Sequence, residues 1–339
     1  MALFNNDSFD FTYPLIGSEI ALSLYPQLIK LIPATLEVQI AVRCISYSVL
    51  AVLGYCINGF GNSKQISKIN MNSFSFISTI VMGIINLVHI ASSYNSFRLL
   101  SSGVSYSLFY TYPIFNLIGR SIFYSEKIEF INYIYIIFSI IGVYLIYSKY
   151  DINGKIEELK QEQEPQGKIS TQEKEKIQEQ EKIQEQEPNQ DKKQTYNTKV
   201  IGFISGITSA FTESLIYFMV KNDVSAVSPF IQIIKTYLFG GILSIGYLVK
   251  NLNKINLDWN YWMTLILFNS LIGFVGYILR FFTIPRLSTL TFNSIIFIGV
   301  IFSYIWGYIF SKEKIDKNSI IGTLLILGSI FTINKNNKK

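Results

Sequence analysis

Histidine and cysteine are scarce in this chain, which has one His and two Cys among 339 residues. The single His89 cannot supply the two histidines of an HExxH zinc site, and histidine-based acyl transfer has little support. Cys44 and Cys56 lie on one predicted helix, where a rise of about 1.5 Å per residue separates them by about 18 Å. That distance is too long for a disulfide bond between them.

The chain also lacks a phosphate-binding GxxxxGK(S/T) loop, so ATP-driven transport would need another subunit. The net charge of +6 lies on the flanks of apolar segments rather than on a folded face, which gives no support to nucleic-acid binding. We therefore expect a protein that is not an enzyme and that uses no metal, no cofactor and no nucleic acid.

Charged residues make up only 15% of the chain, whereas 50% is hydrophobic and 26 Phe and 22 Tyr make it strongly aromatic. A soluble domain of this size needs more polar surface to cover its core. A helix needs about 20 apolar residues to cross a bilayer, and ten segments approach that length. We thus predict an all-α polytopic membrane protein whose spans lie at 14–33, 37–59, 72–94, 101–123, 130–148, 200–220, 228–249, 260–283, 286–310 and 318–334.

Residues 149–199 differ from the rest, because their core, KIQEQEKIQEQE, repeats a six-residue unit of Lys, Ile, Gln and Glu. A segment this charged cannot bury enough apolar surface to fold alone. We interpret it as a disordered or loosely helical linker, and a role in binding partners stays open. Without it, five predicted spans remain on each side.

An internal repeat relates the two sides. Sliding residues 98–128 forward by 187 positions gives eleven identities in 31, and the shared Glu-Lys-Ile endings contain Glu126 and Glu313. A second match, at an offset of 191, places SLYPQLIK (23–30) on SLIYFMVK (214–221). Five spans is an odd number, so the second copy must enter the membrane from the opposite side. This predicts two inverted five-helix repeats, a design found in secondary transporters.

The motifs of the repeat resemble those of a known family. The pattern Pro113, then FYSEKI and IIFSIIGVYLIYSK, resembles the EamA-like repeat of the drug/metabolite transporter superfamily, and FSKEKIDKNSIIGTLLILGSIFTINK resembles its second copy. Arg43 matches a basic residue common at the start of the second span in such repeats. The resemblance implies repeats at 14–148 and 200–334 and cytosolic termini. It implies no substrate, because the superfamily moves nucleotide sugars, phosphorylated sugars, amino acids and drugs, and the signature motifs of the nucleotide-sugar branch are not evident.

Four charged residues fall inside the predicted spans, where each costs a few kcal/mol unless it faces a cavity or a partner. Glu19 and Arg43 lie in the first two spans, and Glu213 and Lys235 lie in the corresponding spans of the second repeat. We expect Lys235 or Arg43 to attract an anionic substrate group and Glu213 or Glu19 to carry a coupling proton. A Glu213–Lys235 pair is geometrically allowed. The alternative is that these groups reach the headgroups or form a purely structural ion pair.

Tyr106, Tyr110 and Asn293 lie on the fourth and ninth spans, which flank the central cavity in this architecture. Aromatic walls with a few polar groups suit organic solutes, although tyrosine is so common here that chance placement is an equal alternative.

Glu126 and Glu313 lie at span ends, where capping of the next helix or fixing of a turn is the expected role. His89 has no carboxylate nearby on its own helix and is interpreted as a packing residue.

The sequence therefore predicts a secondary transporter of a small organic metabolite that works by alternating access, through proton coupling or exchange. The alternative is a non-transporting scaffold or receptor built on a degenerate carrier fold, and nucleotide-sugar transport stays open as a subclass. The partners are the lipid bilayer and a small organic solute, and a homodimer stays open. Nothing in the sequence distinguishes the plasma membrane from an endomembrane.

Overall fold

The computed structural model describes residues 11–61, 76–124, 129–162, 188–222, 228–255, 257–287 and 289–336, and this part of the chain is helical with short connections and no strand. A 3₁₀ turn spans Leu252–Lys254, and a π-helix spans Phe268–Gly273. The α-helices are α1 (Thr12–Leu22), α2 (Tyr25–Leu31), α3 (Leu36–Gly61), α4 (Phe76–Leu99), α5 (Ser102–Phe109), α6 (Tyr112–Tyr124), α7 (Phe130–Glu162), α8 (Pro188–Asn222), α9 (Pro229–Asn251), α10 (Trp259–Leu267), α11 (Phe274–Thr283), α12 (Thr289–Ile295), α13 (Phe297–Ser311) and α14 (Lys317–Asn336).

Helix accounts for most of the described residues in every segment predicted as a span, and the prediction of an all-helical polytopic membrane protein is confirmed. Two apolar segments, Phe130–Ile146 and Lys317–Thr332, are shorter than a full span. Within the described residues, six segments are long and apolar enough to cross a bilayer: Leu36–Ile57, Phe76–Leu99, Thr198–Lys221, Pro229–Lys254, Trp259–Thr283 and Thr291–Ser311.

The first and fourth predicted spans are each broken into two helices. The first divides at Ser23 and Leu24 into α1 and α2, and the fourth divides at Tyr110 and Thr111 into α5 and α6. Each second helix has a proline in its first turn, where the missing N–H breaks no intrahelical hydrogen bond. The backbone polar groups freed at such a break must be satisfied inside the protein.

The predicted linker is helical at both ends. Helix α7 continues to Glu162 and α8 begins at Pro188, so residues 149–162 and 188–199 extend the neighbouring helices. The centre of the linker, residues 163–187, lies outside the described residues.

The outward faces of the helices are apolar, which is the reverse of a soluble protein. Large aliphatic side chains are more than half exposed on α7, α8, α9, the π-helix and α14. A bilayer solvates such surface, whereas water would not. Examples are Ile137, Ile140, Ile204, Ile242, Leu271 and Leu324.

Helices at equivalent positions of the two halves pack against each other, and α3 lies along α9. Gly54, near the end of α3, faces the ring of Phe230 at the start of α9, whereas Cys44 faces Gly240 further along α9. The contact order therefore reverses between the two helices, and α3 and α9 run antiparallel.

Helices α7 and α14 also run antiparallel, and they meet at two glycines. A Cβ added to Gly142 would lie 2.5 Å from the carbonyl oxygen of Gly322, and one added to Gly322 would lie 2.5 Å from that of Gly142. Gly142 also faces Ile326, and Gly322 faces Ile146. Only glycine permits such a close approach of two helix backbones.

Candidate functional site

Arg280 binds two buried carboxylates from different halves of the chain. Its Nη1 donates to Glu19 Oε1 at 3.2 Å, and its Nη2 donates to Glu213 Oε1 at 2.6 Å. Nη2 also donates to the hydroxyl of Tyr112 at 3.2 Å. Arg280 is 3% exposed and the Glu19 side chain is fully buried. Both ion pairs are thus shielded from water. Buried charges of this kind are tolerated only when they have close partners.

His89 faces the second oxygen of the same Glu213 carboxylate. The Nε2 atom of His89 lies 3.5 Å from Glu213 Oε2, and its Nδ1 lies 3.2 Å from the backbone oxygen of Ser209. A carbonyl oxygen can only accept, so Nδ1 carries a proton in this hydrogen bond. Nε2 and Oε2 therefore face each other as two acceptors unless one of them holds a further proton.

Tyr110 contacts Glu19 from the break between α5 and α6. Its hydroxyl donates to Glu19 Oε2. Gly299 of α13 lies against this hydroxyl, and a Cβ there would lie 2.8 Å from it. We call Glu19, Glu213, Arg280, His89, Tyr110 and Tyr112 the carboxylate cluster, and its members come from α1, α4, α6, α8, α11 and the α5–α6 break.

Arg43 lies in a second buried group, the tyrosine box, which is made of Arg43 and five tyrosines. Its guanidinium donates to the hydroxyls of Tyr94 at 3.3 Å and Tyr237 at 3.0 Å. Arg43 is 3% exposed, and its Nε has no hydrogen-bond partner among the described residues. The guanidinium carbon lies 4.5–5.9 Å from the ring centroids of Tyr25, Tyr277, Tyr47, Tyr94 and Tyr237.

The tyrosine box and the carboxylate cluster share helices. On α11, Tyr277 of the box lies one turn before Arg280 of the cluster, and α4 carries both Tyr94 and His89. A displacement of α11 or α4 would therefore move both groups together.

The π-helix before α11 supports the box. Tyr25 donates to Asn269 Oδ1 at 2.9 Å, and its hydroxyl lies 2.5 Å from that of Tyr47. A Cβ at Gly273 would lie 2.5 Å from the Tyr47 hydroxyl, so this position must be glycine for the tyrosines to approach. Wide turns of this kind are frequent at functional sites.

The second half of the chain is similar to a known protein family. Residues 200–335 match the EamA-like transporter family. The match confirms the resemblance seen in the motifs, and with the apolar helices it makes the chain an integral, multi-pass membrane protein.

A similarity of fold extends over both halves of the chain. A solved structure titled only "Crystal structure of protein" is similar over 97% of this chain and 98% of its own, with 10% identity and a TM-score of 0.54. This likeness concerns the fold alone. No curated protein matches the sequence.

The charged residues predicted as candidates from the sequence lie in the two clusters or beside them. Glu19 and Glu213 are in the carboxylate cluster and Arg43 is in the tyrosine box. Lys235 is buried on α9, and Glu213 contacts Arg280 and His89.

The polar candidates of the fourth and ninth spans are buried as well. Tyr106 stacks on Phe97 with ring centroids 5.5 Å apart, and its ring lies 5.3 Å from that of Tyr110. It thus packs directly beside the carboxylate cluster. Asn293 is 3% exposed, and its Oδ1 has no hydrogen-bond partner among the described residues.

Glu313 lies in the turn between α13 and α14, and its carboxylate reaches the start of α5. Its Oε2 accepts from the backbone N–H of Ser102 at 2.8 Å, and its Oε1 pairs with Lys30. The next helix in the chain, α14, instead has Asp316 accepting from Ser319 N at 2.9 Å. The carboxylate of Glu313 therefore connects α2, α5 and the α13–α14 turn. Glu126 lies outside the described residues.

Sequence reasoning missed Arg280 and misjudged His89. Arg280 lies within the predicted span 260–283, so its charge was a visible signal of an intramembrane site. Gly273, Tyr277 and Arg280 also recur at i, i+4 and i+7, which places them on one helix face. The repeat offset of 191 aligns His89 with Arg280, and this correspondence could have drawn attention to both.

Proposed function

We propose that this EamA-like protein is a secondary transporter of a small organic metabolite that works by alternating access and couples transport to a proton. The EamA-like match of residues 200–335 supports transport rather than catalysis. The observation that carries the proposal is the carboxylate cluster, because it joins both halves of the chain and contains more acids than fixed bases.

Counting charges in the cluster leads to the coupling step. Glu19 and Glu213 face one guanidinium, that of Arg280. One proton, shared between His89 and Glu213, makes the cluster neutral. Its loss leaves one negative charge in an apolar interior, which is costly. Proton binding and release therefore change the stability of this arrangement of helices.

The helix packing supports the alternating part of the proposal. Antiparallel contacts of α3 with α9 and of α7 with α14 are what two inverted repeats would produce. Glu19 and Glu213 come from the first helices of the two repeats and meet on Arg280. We propose that the repeats rock about this cluster, so that its proton is exposed to one side of the membrane and then to the other.

The test uses the purified full-length protein in liposomes with an inward pH gradient and a library of labelled metabolites. We expect side-selective accumulation of at least one organic solute. Glu213→Gln should abolish pH-driven accumulation but retain exchange of solute for solute, because exchange needs no net proton movement. Glu37→Gln removes an exposed carboxylate of α3 and is the matched control. Absence of any transport with correct insertion would favour the scaffold or receptor alternative.

A further inference from the structure

The tyrosine box contains a buried positive charge without a negative partner. Arg280 is matched by two carboxylates, whereas the described contacts of Arg43 are five tyrosine rings and two of their hydroxyls. Among the described residues, no carboxylate lies within ion-pair distance of Arg43. A buried charge normally has a close partner of opposite sign, so this position favours a ligand that brings one.

The box also presents hydrogen-bond donors beside this charge. The hydroxyls of Tyr94 and Tyr237 accept from Arg43, so each still has an O–H to donate. The N–H at Nε of Arg43 has no partner either. The O–H of Tyr237 and the N–H at Nε of Arg43 are thus donors for an incoming ligand, whereas the Tyr94 hydroxyl also interacts with Tyr25. A carboxylate, with two oxygens and about four lone-pair sites, satisfies both the charge and the donors.

The rest of the box indicates the body of the ligand. Tyr47 packs against Tyr237 at 4.7 Å and against Tyr277 at 5.3 Å between ring centroids, so aromatic surface surrounds the cation. Aromatic walls favour an apolar or aromatic body. The only basic group in the box is Arg43, and one positive charge matches one negative charge.

We infer that the tyrosine box binds the carboxylate of an organic monoanion with an apolar or aromatic body, and that such anions are the substrate class of the proposed transporter. Calling these anions substrates rests on the proposed function, whereas their binding to the box is tested without transport. Arg43 is buried in this conformation, so the ligand enters when the repeats open to one side.

The experiment is isothermal titration calorimetry on the full-length protein in detergent, with four probes of similar size. Benzoate should bind, whereas benzamide, phenyl phosphate and benzylammonium should bind at least about 10-fold more weakly, because they lack a charge, carry two charges or carry the wrong sign. Equal or tighter binding of any of the three would contradict the carboxylate assignment. No binding of benzoate would contradict it too.

Variants locate the site. Arg43→Gln should weaken benzoate binding by about 30-fold or more, and Arg43→Lys should lose less because the charge remains. Arg286→Gln is the control, since Arg286 is an exposed arginine outside the box. Unchanged binding of benzoate to Arg43→Gln would overturn the inference.

A second variant removes a donor without removing the charge, in case Arg43→Gln does not fold. Tyr237→Phe should weaken benzoate binding by about 10-fold, the effect of losing one hydrogen bond to a charged group. Tyr304→Phe is its control, because the Tyr304 hydroxyl bonds to Thr323 elsewhere. Equal effects of both variants would assign the loss to general packing and refute the site.

The liposome library separates this inference from the proposed function. Transport of only neutral or cationic solutes, without inhibition by benzoate, would refute the substrate class and leave secondary transport standing. Benzoate binding without transport of any solute would refute the proposed function and leave the binding site standing.

Discussion

Removing the positive charge of Arg280 should destabilise the protein in a pH-dependent way. In Arg280→Gln, the carboxylates of Glu19 and Glu213 lose ion pairs of 3.2 and 2.6 Å. Each pair is worth about 5–6 kcal/mol at an effective dielectric constant of about 20, before desolvation is subtracted. Removal of one partner from a buried ion pair costs about 3–5 kcal/mol. At about 2 °C per kcal/mol for a larger domain, the Tm should fall by about 6–10 °C.

The pH dependence distinguishes lost charge from lost packing. At pH 8 the two carboxylates of Arg280→Gln remain unpaired, whereas at pH 5.5 protonation removes part of the cost, so the fall in Tm should shrink. A triple variant with Glu19→Gln and Glu213→Gln should recover most of the loss at both pH values. Arg98→Gln, an exposed control on α4, should change the Tm by about 1 °C or less. An equal loss at both pH values, or no loss at pH 8, would refute the electrostatic account of the cluster.

Three further changes test the fold and the linker. Gly142→Ala should lower stability by about 1–3 kcal/mol, because its Cβ would meet backbone 2.5 Å away, whereas Gly246→Ala, in open space, should not; equal Tm values would contradict the close contact. Glu313→Gln should lower the Tm through lost contacts to Ser102 and Lys30 worth about 1–3 kcal/mol, and an equal effect of the exposed Glu129→Gln would count against that role. Replacing 163–187 with a flexible segment should preserve transport, and its complete loss in an inserted protein would refute the spacer interpretation.

The helices could be predicted closely because a bilayer imposes their length. Apolar runs must reach about 20 residues and satisfy their own backbone groups, so the predicted span 260–283 nearly coincides with the helical segment 259–283. The breaks at Ser23–Leu24 and Tyr110–Thr111 were not predicted. A break is stable only where groups from other helices bond to the freed backbone. The hydropathy pattern of one segment does not show which groups those are.

The site could be predicted only in part, for a related physical reason. The cost of a buried charge identifies Glu19, Arg43 and Glu213 from the sequence alone. Which charges meet is decided by helix packing, so the contacts of Glu213 with Arg280 and His89 could not be predicted from the sequence. His89 was judged by its own helix, while the carboxylate that faces it comes from α8.

The central claim is that the carboxylate cluster moves a proton with each solute, and simultaneous recording of solute and proton flux tests it most directly. Liposomes containing the full-length protein and a pH-sensitive dye would receive an inward gradient of a transported solute with no initial pH gradient. The account predicts that solute entry acidifies the lumen and that Glu213→Gln abolishes this acidification. Solute entry into wild-type liposomes at an unchanged lumenal pH would contradict it.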